Sequence, residues 1–181
     1  KVYFYHPSKN KWYEPKMKIY DTLYISAGKE NIFYLIGTNN NIYPVGLNQK
    51  TGETFPATPT IRKSFSHLAA TSDGVIFGLL KNGREIRKYE EGSEEEIDVI
   101  PQIKDKIKYI AAPNEDILYG IGTSGDLYKW DEKWTKLTVS NVKEITVTSN
   151  DTGLVLKDDG VLYATYFFSF AVKETQKLGV K

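Results

Sequence analysis

The stretch "YIAAPNEDILYGIGTSGDLYKW", residues 109 to 130, has counterparts at three other places in the chain. They are "YISAGKENIFYLIGTNNNIYPVG" (24–46), "HLAATSDGVIFGLLKNGREIRKY" (67–89) and, more weakly, "EITVTSNDTGLVLKDDGVLYATY" (144–166). Each copy reads as an apolar strand ending in small residues, a polar turn, a second apolar strand, another turn and a third strand. The chain is therefore predicted to consist of four repeats of one β unit.

The spacing of these repeats predicts a β-propeller. The aligned residues Ile25, Leu68, Ile110 and Ile145 are 43, 42 and 35 positions apart, close to the roughly 40 to 45 residues of a four-stranded propeller blade. The fourth strand of each blade is expected from "KWYEP" (11–15), "ETFPAT" (53–58), "EEIDVI" (95–100) and "KWTKLT" (133–138). A β-sandwich or barrel with similar hairpins is the alternative.

The expected organisation is one all-β domain over residues 1–181, a propeller of about four four-stranded blades that is complete or is part of a larger ring. Repeat units are expected at about 11–46, 53–89, 95–130 and 133–166, with 167–181 as a tail. The segment "VYFYH" (2–6) is similar to the last strand of a unit. The chain is therefore expected to start within a preceding or shared blade.

The turns of the repeats support this interpretation. The second turn of each unit reads "TNNN", "KNGR", "TSGD" or "KDDG", and each contains Asn or Gly, which tolerate the positive φ that tight hairpins require. The continuous apolar second strands predict sheets that are buried on both faces, as when blades stack on one another.

The composition excludes several classes of function. The chain has 24 Lys plus Arg and 23 Asp plus Glu, so it offers no strong positive field for a nucleic acid. It has no cysteine, which excludes disulfides, thiolate nucleophiles and sulfur-ligated zinc. No run of eighteen apolar residues is present, so no membrane span is expected.

The sequence also lacks a recognisable catalytic or metal-binding pattern. Its two histidines, His6 and His67, are far apart, and a structural role is predicted for His67, which precedes an apolar strand. The glycines of "GIGTSG" (120–125) are not followed by the lysine and helix of a phosphate-binding loop. We therefore expect no enzyme activity, no cofactor and no metal.

Aromatic residues supply the candidate ligand-binding site. Trp12, Trp130 and Trp134 recur at unit boundaries, and "YKWDEKW" (128–134) adds Tyr128 and Asp131. Exposed Trp and Tyr rings stack on sugar faces while polar neighbours bond the hydroxyls. The alternative is that these tryptophans pack between blades.

The repeats resemble those of the tectonin-type propeller family. The similarity lies in "WTKL" (134–137), the "IAA" and "ISA" strands, "ILYGIG" and "GDLYKW". The regulator of chromosome condensation family is a weaker likeness, because its repeats are longer. The second unit departs from the pattern with "ETFPAT" and "EIRKY", and the fourth with "GLVL". The resemblance implies a propeller, and it is typical of lectins, surface-recognition proteins and interaction modules.

The sequence thus favours a non-catalytic recognition module that binds a glycan or a surface or protein partner. The alternative is a structural or assembly component of a larger complex, such as a surface layer, a phage or virion component or a toxin scaffold. Phe167, Phe168 and Phe170 leave a large apolar area, so the tail is expected either to pair with the first strand or to meet another blade or chain, the latter by self-association. The compartment stays open, with a secreted or surface location slightly favoured.

Overall fold

The computed structural model describes residues 3–6, 10–13, 21–29, 31–48, 50–51, 53–57, 60–148, 152–166 and 173–178. These residues form strands, turns and connecting segments, and none of them lies in a helix. Four antiparallel sheets have four strands each, and a separate hairpin has two. The predicted all-β propeller with four four-stranded blades is confirmed.

The blades are numbered in chain order, and the strands of each blade run from the innermost to the outermost. Blade 1 contains β3 (Thr22–Ala27), β4 (Ile32–Gly37), β5 (Ile42–Leu47) and β6 (Thr54–Pro56). Blade 2 contains β7 (Phe65–Ala70), β8 (Val75–Leu80), β9 (Ile86–Glu90) and β10 (Glu96–Ile100). Blade 3 contains β11 (Ile107–Ala111), β12 (Leu118–Gly122), β13 (Leu127–Asp131) and β14 (Lys133–Lys136). Blade 4 contains β15 (Val142–Val147), β16 (Thr152–Lys157), β17 (Leu162–Tyr166) and β18 (Lys173–Leu178). The hairpin contains β1 (Phe4–His6) and β2 (Lys11–Tyr13).

The blades are arranged in a ring around a common axis. The innermost strands β3, β7, β11 and β15 surround one central cavity. Apolar side chains fill the joints between blades 1 and 2, 2 and 3, and 3 and 4. Among the described strands, β15 and β3 do not make the extended contact that joins the other neighbouring innermost strands.

The four blades repeat in register as well as in topology. The residues aligned in the sequence occupy equivalent positions opposite the second strand: Ile25 faces Leu35, Leu68 faces Gly78, Ile110 faces Gly120 and Ile145 faces Val155. A register shift of one residue lies just before this position in all four innermost strands. The repeat alignment on which the fold prediction depended therefore describes real structural equivalence.

The strands predicted between the repeat units are the outermost strands of the preceding blades. Residues 54–56 pair with β5, residues 96–100 with β9 and residues 133–136 with β13, whereas residues 11–13 pair with β1. The blades therefore span 22–56, 65–100, 107–136 and 142–178. At most six residues separate the third strand of a blade from its outermost strand, so these two strands pair before the chain crosses to the next blade.

The predicted turn residues adopt the expected backbone. Asn40, Gly83, Gly125 and Gly160 occupy the same place between the second and third strands of their blades, and their φ angles are 63°, 69°, 83° and 79°. Glycine and asparagine adopt this left-handed conformation more readily than other residues.

Candidate functional site

The axis of the propeller contains a cavity of about 230 Å³ that is lined by all four innermost strands. Tyr24, Ser26, Tyr109 and Thr146 contribute hydroxyl groups to its lining, and the remaining lining residues are small or aliphatic. Such a lining supplies hydrogen-bond donors and acceptors between apolar surfaces, which is the usual composition of a small-molecule pocket.

Beside this cavity, His67 lies between two tyrosine rings. The centroid of its imidazole is 3.8 Å from that of Tyr24 and 3.9 Å from that of Tyr109. The Tyr24 hydroxyl donates to the Tyr109 hydroxyl at 3.1 Å, so blades 1 and 3 are linked across the axis. The backbone N–H of Ile110 donates to His67 Nδ1 at 3.3 Å. The neutral ring therefore carries its proton on Nε2, for which no hydrogen-bond partner is described.

Burial determines the protonation of this group of residues. Loss of solvation lowers the pKa of His67 to about 3, because an imidazolium in an apolar environment is unfavourable. Burial is also the main cause that raises the pKa values of Tyr24 and Tyr109. At neutral pH all three side chains are uncharged and far from their titration ranges, so they are poorly suited to general acid–base catalysis.

The predicted ligand residues Trp130 and Trp134 lie together, but mostly inside a joint between blades. They face each other across β13 and β14 with ring centroids 5.7 Å apart, and both are half-buried against the apolar core between blades 2 and 3. Trp134 Nε1–H donates to the carbonyl oxygen of Pro101, which directly follows the outermost strand of blade 2, at 2.7 Å. Trp130 also occupies the repeat position of Val45 and Tyr89, which are buried.

Tyr128 and Asp131 flank this tryptophan pair. The Tyr128 ring packs against the same core, and its hydroxyl lies 3.5 Å from an oxygen of Asp105. Asp131 is exposed at the end of β13, and its carboxylate lies 3.9 Å from Lys129 Nζ. The structure thus brings four of the five predicted residues together on blade 3, with Asp131 the most accessible of them.

Trp12, the fifth predicted residue, lies in the N-terminal hairpin and is 63% exposed. Its ring packs on that of Tyr5, with centroids 5.2 Å apart and planes inclined by 48°. The Tyr5 hydroxyl donates to Asn10 Oδ1 at 2.6 Å, which holds an amide side chain next to the rings. Tyr3 and Tyr5 are also about half exposed. We call Tyr5, Asn10 and Trp12 the aromatic pair and its amide.

The residues at the axis were not predicted as a group from the sequence. Tyr24, His67, Tyr109 and Glu144 each directly precede one of the four aligned repeat residues. Their shared position was a usable signal, because equivalent positions of a propeller lie at the same height along the axis. The four residue types differ, however, so no motif marked them. The predicted tail surface at Phe167, Phe168 and Phe170 lies outside the described residues.

The described residues form neither a metal-ligand cluster nor a membrane-spanning helix. No three or more His, Asp or Glu side chains of the described part of the chain lie close enough together to hold a metal ion. Nor does this part of the chain contain a helix of the length and hydropathy that a membrane span requires.

The comparisons with known proteins support the fold. No family model and no curated protein matches the chain. The structure is similar to the β-propeller domain of Cps50 (Swd1) from Myceliophteria thermophila, with a TM-score of 0.64 and 8% sequence identity. The match covers 90% of this chain and 57% of that one. The four blades thus span little more than half the length of that propeller, and the likeness at this identity concerns the fold alone.

Proposed function

We propose that the chain is a non-catalytic recognition propeller of the tectonin-like type, which binds a glycan through the aromatic pair and its amide. The observation that carries this proposal is that Trp12 is 63% exposed while it packs on Tyr5. Two adjoining aromatic rings form an apolar platform that fits the C–H face of a sugar ring, and the Asn10 amide can bond sugar hydroxyls.

The axial residues support the non-catalytic part of the proposal. His67 is neutral, in contact with both tyrosine rings and more than nine-tenths buried, and the two tyrosines bond to each other. A general base requires a pKa near the working pH and access to the substrate, and His67 has neither.

The glycan proposal is tested with the full chain on a glycan array, followed by calorimetric titration of the best ligand. Trp12→Ala is expected to weaken binding by about tenfold, since stacking and burial of one aromatic face are worth about 1 to 2 kcal/mol. Phe55→Ala is the matched control, because Phe55 is an exposed aromatic residue on another surface. Trp130→Phe is expected to leave the affinity unchanged.

Two results would contradict the proposal: no bound glycan on the array, or equal loss of affinity in the Trp12 and Phe55 variants. If only the Trp130 variant loses affinity, the tryptophan pair on blade 3 is the binding surface instead.

A structural or assembly role is the second candidate. It is favoured by Ile97 and Val99, which are exposed on the outermost strand of blade 2. An exposed strand edge with apolar side chains is a common site of pairing with another chain. Val99→Asp is expected to abolish such an association, and light scattering would detect the change in mass.

A further inference from the structure

Half of the backbone groups of each innermost strand point away from their own blade and toward the axis. The N–H groups of Thr71 and Thr148 donate to carbonyl oxygens on the second strands of blades 2 and 4, at 2.9 and 2.8 Å. Hydrogen bonding alternates along a strand of an antiparallel pair. The preceding residues, Ala70 and Val147, therefore direct their N–H groups toward the axis, and Ala112 has the same repeat position in blade 3.

In two places a side chain of the preceding blade accepts such an axial N–H. Ser26 Oγ accepts from the Ala70 N–H at 3.0 Å, and His67 Nδ1 accepts from the Ile110 N–H at 3.3 Å. In both bonds the acceptor stands one repeat position before the donor. The repeat thus shows which residue must supply an acceptor for each axial N–H group.

Two axial N–H groups lack this acceptor. By the same rule, Ala69 would accept from the Ala112 N–H and Ala111 from the Val147 N–H, but alanine has no polar side-chain atom. Among the described residues, no other acceptor bonds either N–H. Both residues line the axial cavity of about 230 Å³, so the cavity contains two hydrogen-bond donors that the protein itself leaves unused.

Other polar groups of the cavity lie around these donors. Ser26 and Thr146 occupy the same repeat position on opposite sides of the ring of blades, and their hydroxyl groups are part of the lining. The Tyr109 hydroxyl accepts from Tyr24 and can donate its own hydrogen. The side chains of Ile110 and other aliphatic lining residues pack in the joints between blades, so these residues reach the cavity with their main chain.

The cavity suits an uncharged ligand. The described residues that line it are Tyr, Ser, Thr, Ala, Val, Leu and Ile, and none of them is charged. An ion would lose its hydration there without gaining a counter-ion. A cavity of about 150 Å³ is large enough for benzene, so this one has room for a six-membered ring with hydroxyl substituents.

We propose that the axial cavity binds one uncharged polyhydroxylated ring, a free pyranose sugar or a cyclitol. Its hydroxyl groups accept from the N–H groups of Ala112 and Val147 and bond to the hydroxyl groups of Ser26 and Thr146. A hydroxyl both donates and accepts, so such a ring matches a lining of N–H, C=O and hydroxyl groups. This site is separate from the aromatic pair and its amide, and it does not depend on glycan binding there.

The test is an NMR titration of the isotope-labelled full chain with glucose, galactose, mannose and myo-inositol. At least one of these is expected to shift the amide signals of Ala112 and Val147, with a dissociation constant of about 1 mM or below for a ligand of this size. Glucuronate and glucosamine, which place a charge on the same ring, are expected to bind at least about tenfold more weakly.

Two variants change the polar groups of the cavity. Thr146→Val removes an exposed hydroxyl at nearly constant shape, and it is expected to weaken binding about threefold to tenfold. Ala111→Ser supplies the missing acceptor for the Val147 N–H and is expected to weaken binding by a similar factor. Thr138→Val, the same change at an exposed residue outside the cavity, is the matched control. Circular dichroism of each variant checks that the fold is kept.

Trp12→Ala separates this proposal from glycan binding by the hairpin. That variant is expected to leave the shifts of Ala112 and Val147 unchanged, whatever it does to binding on the glycan array. The axial proposal is wrong if none of the four compounds shifts these two signals, if Thr138→Val weakens binding as much as Thr146→Val, or if the charged sugars bind equally well. It is also wrong if Trp12→Ala abolishes the shifts.

Discussion

At the scale of single residues, the axis is held together by a histidine that stays neutral. His67 packs between Tyr24 and Tyr109 and accepts a backbone hydrogen bond from the next blade. An imidazolium could not accept that bond, since both of its nitrogens donate. Protonation of His67 would therefore break a contact between blades as well as place a charge in the interior.

This neutrality makes stability dependent on pH. The pKa of His67 is about 3 in the folded protein and 6.5 in the unfolded chain. The contribution is fully present above pH 6.5 and is lost as the pH falls toward 3, because only the unfolded state takes up the proton. From pH 7 to pH 5 the free energy of unfolding of the wild-type protein is expected to fall by about 2 kcal/mol relative to that of His67→Phe.

Urea denaturation at the two pH values measures this difference, and the shared effects of other titrating groups cancel between the two proteins. A difference that stays constant from pH 7 to pH 5 would show that His67 titrates in the folded protein as it does in the unfolded chain.

The tryptophans show which property of a single residue could not be predicted from the sequence. The pattern "KW" is the same at Trp12 and Trp134, and each lies on the second strand of its hairpin, but Trp12 is exposed and Trp134 packs between blades 2 and 3. Burial at this position depends on the blade that covers it, which is a long-range contact that local sequence does not encode. The boundary position of each tryptophan could be predicted, and its accessibility could not.

At the scale of elements, the turns between second and third strands serve both their own hairpin and the next blade. Gly83 has a φ of 69°, and its carbonyl accepts the Ile107 N–H. A Cβ at this residue would stand 2.8 Å from the Ile107 carbonyl oxygen. Gly160 has a φ of 79° and no described neighbour within 4 Å of its Cβ position.

Alanine at these two glycines is expected to have unequal effects. Gly160→Ala should reduce the free energy of unfolding by about 1 kcal/mol through the unfavourable φ alone. Gly83→Ala should reduce it further, by about 2 to 3 kcal/mol in total, because the backbone of the next blade must also move. Chemical denaturation of both variants gives the comparison, and equal losses would mean that the contact with Ile107 adds nothing.

The elements themselves were well predicted. Strand positions, turn residues and the number of blades followed from the repeat, because alternating apolar strands and turns that accept positive φ are local properties. The assignment of each outermost strand to its blade did not follow. A strand between two repeat units can pair with the unit before it or with the unit after it. Only the hydrogen bonds in the folded protein show to which blade it belongs.

At the scale of the whole molecule, stability is expected to be distributed unevenly around the ring. Leu127 and Leu162 have the same side chain at equivalent positions of blades 3 and 4. Leu127 is fully buried by blade 4, while Leu162 is half-buried. The pair therefore compares a leucine that the next blade covers with a half-buried leucine of the same type at the same position of its blade.

Alanine at each of these leucines measures that difference. Leu127→Ala is expected to lower the free energy of unfolding by about 3 kcal/mol, because it leaves a cavity in a packed joint. Leu162→Ala is expected to lower it by about 1 kcal/mol, since less apolar area is removed from contact. Thermal or urea unfolding in dilute solution provides the values, and equal losses would show that both leucines are equally covered.

The register shift in each innermost strand has a consequence for how this scaffold can change. The residues within the four shifts are Leu23, Ser66, Lys108 and Lys143, and all of them are exposed. A bulge sets its extra residue apart from the regular pairing of the strand, so side chains of very different chemistry are accommodated there. Substitutions at Leu23, Lys108 and Lys143 are therefore expected to change the surface chemistry of their blades while the buried side chains keep their places. At Ser66 a substitution would also remove the hydrogen bonds from its hydroxyl to the carbonyl oxygens of Leu79 and Leu80.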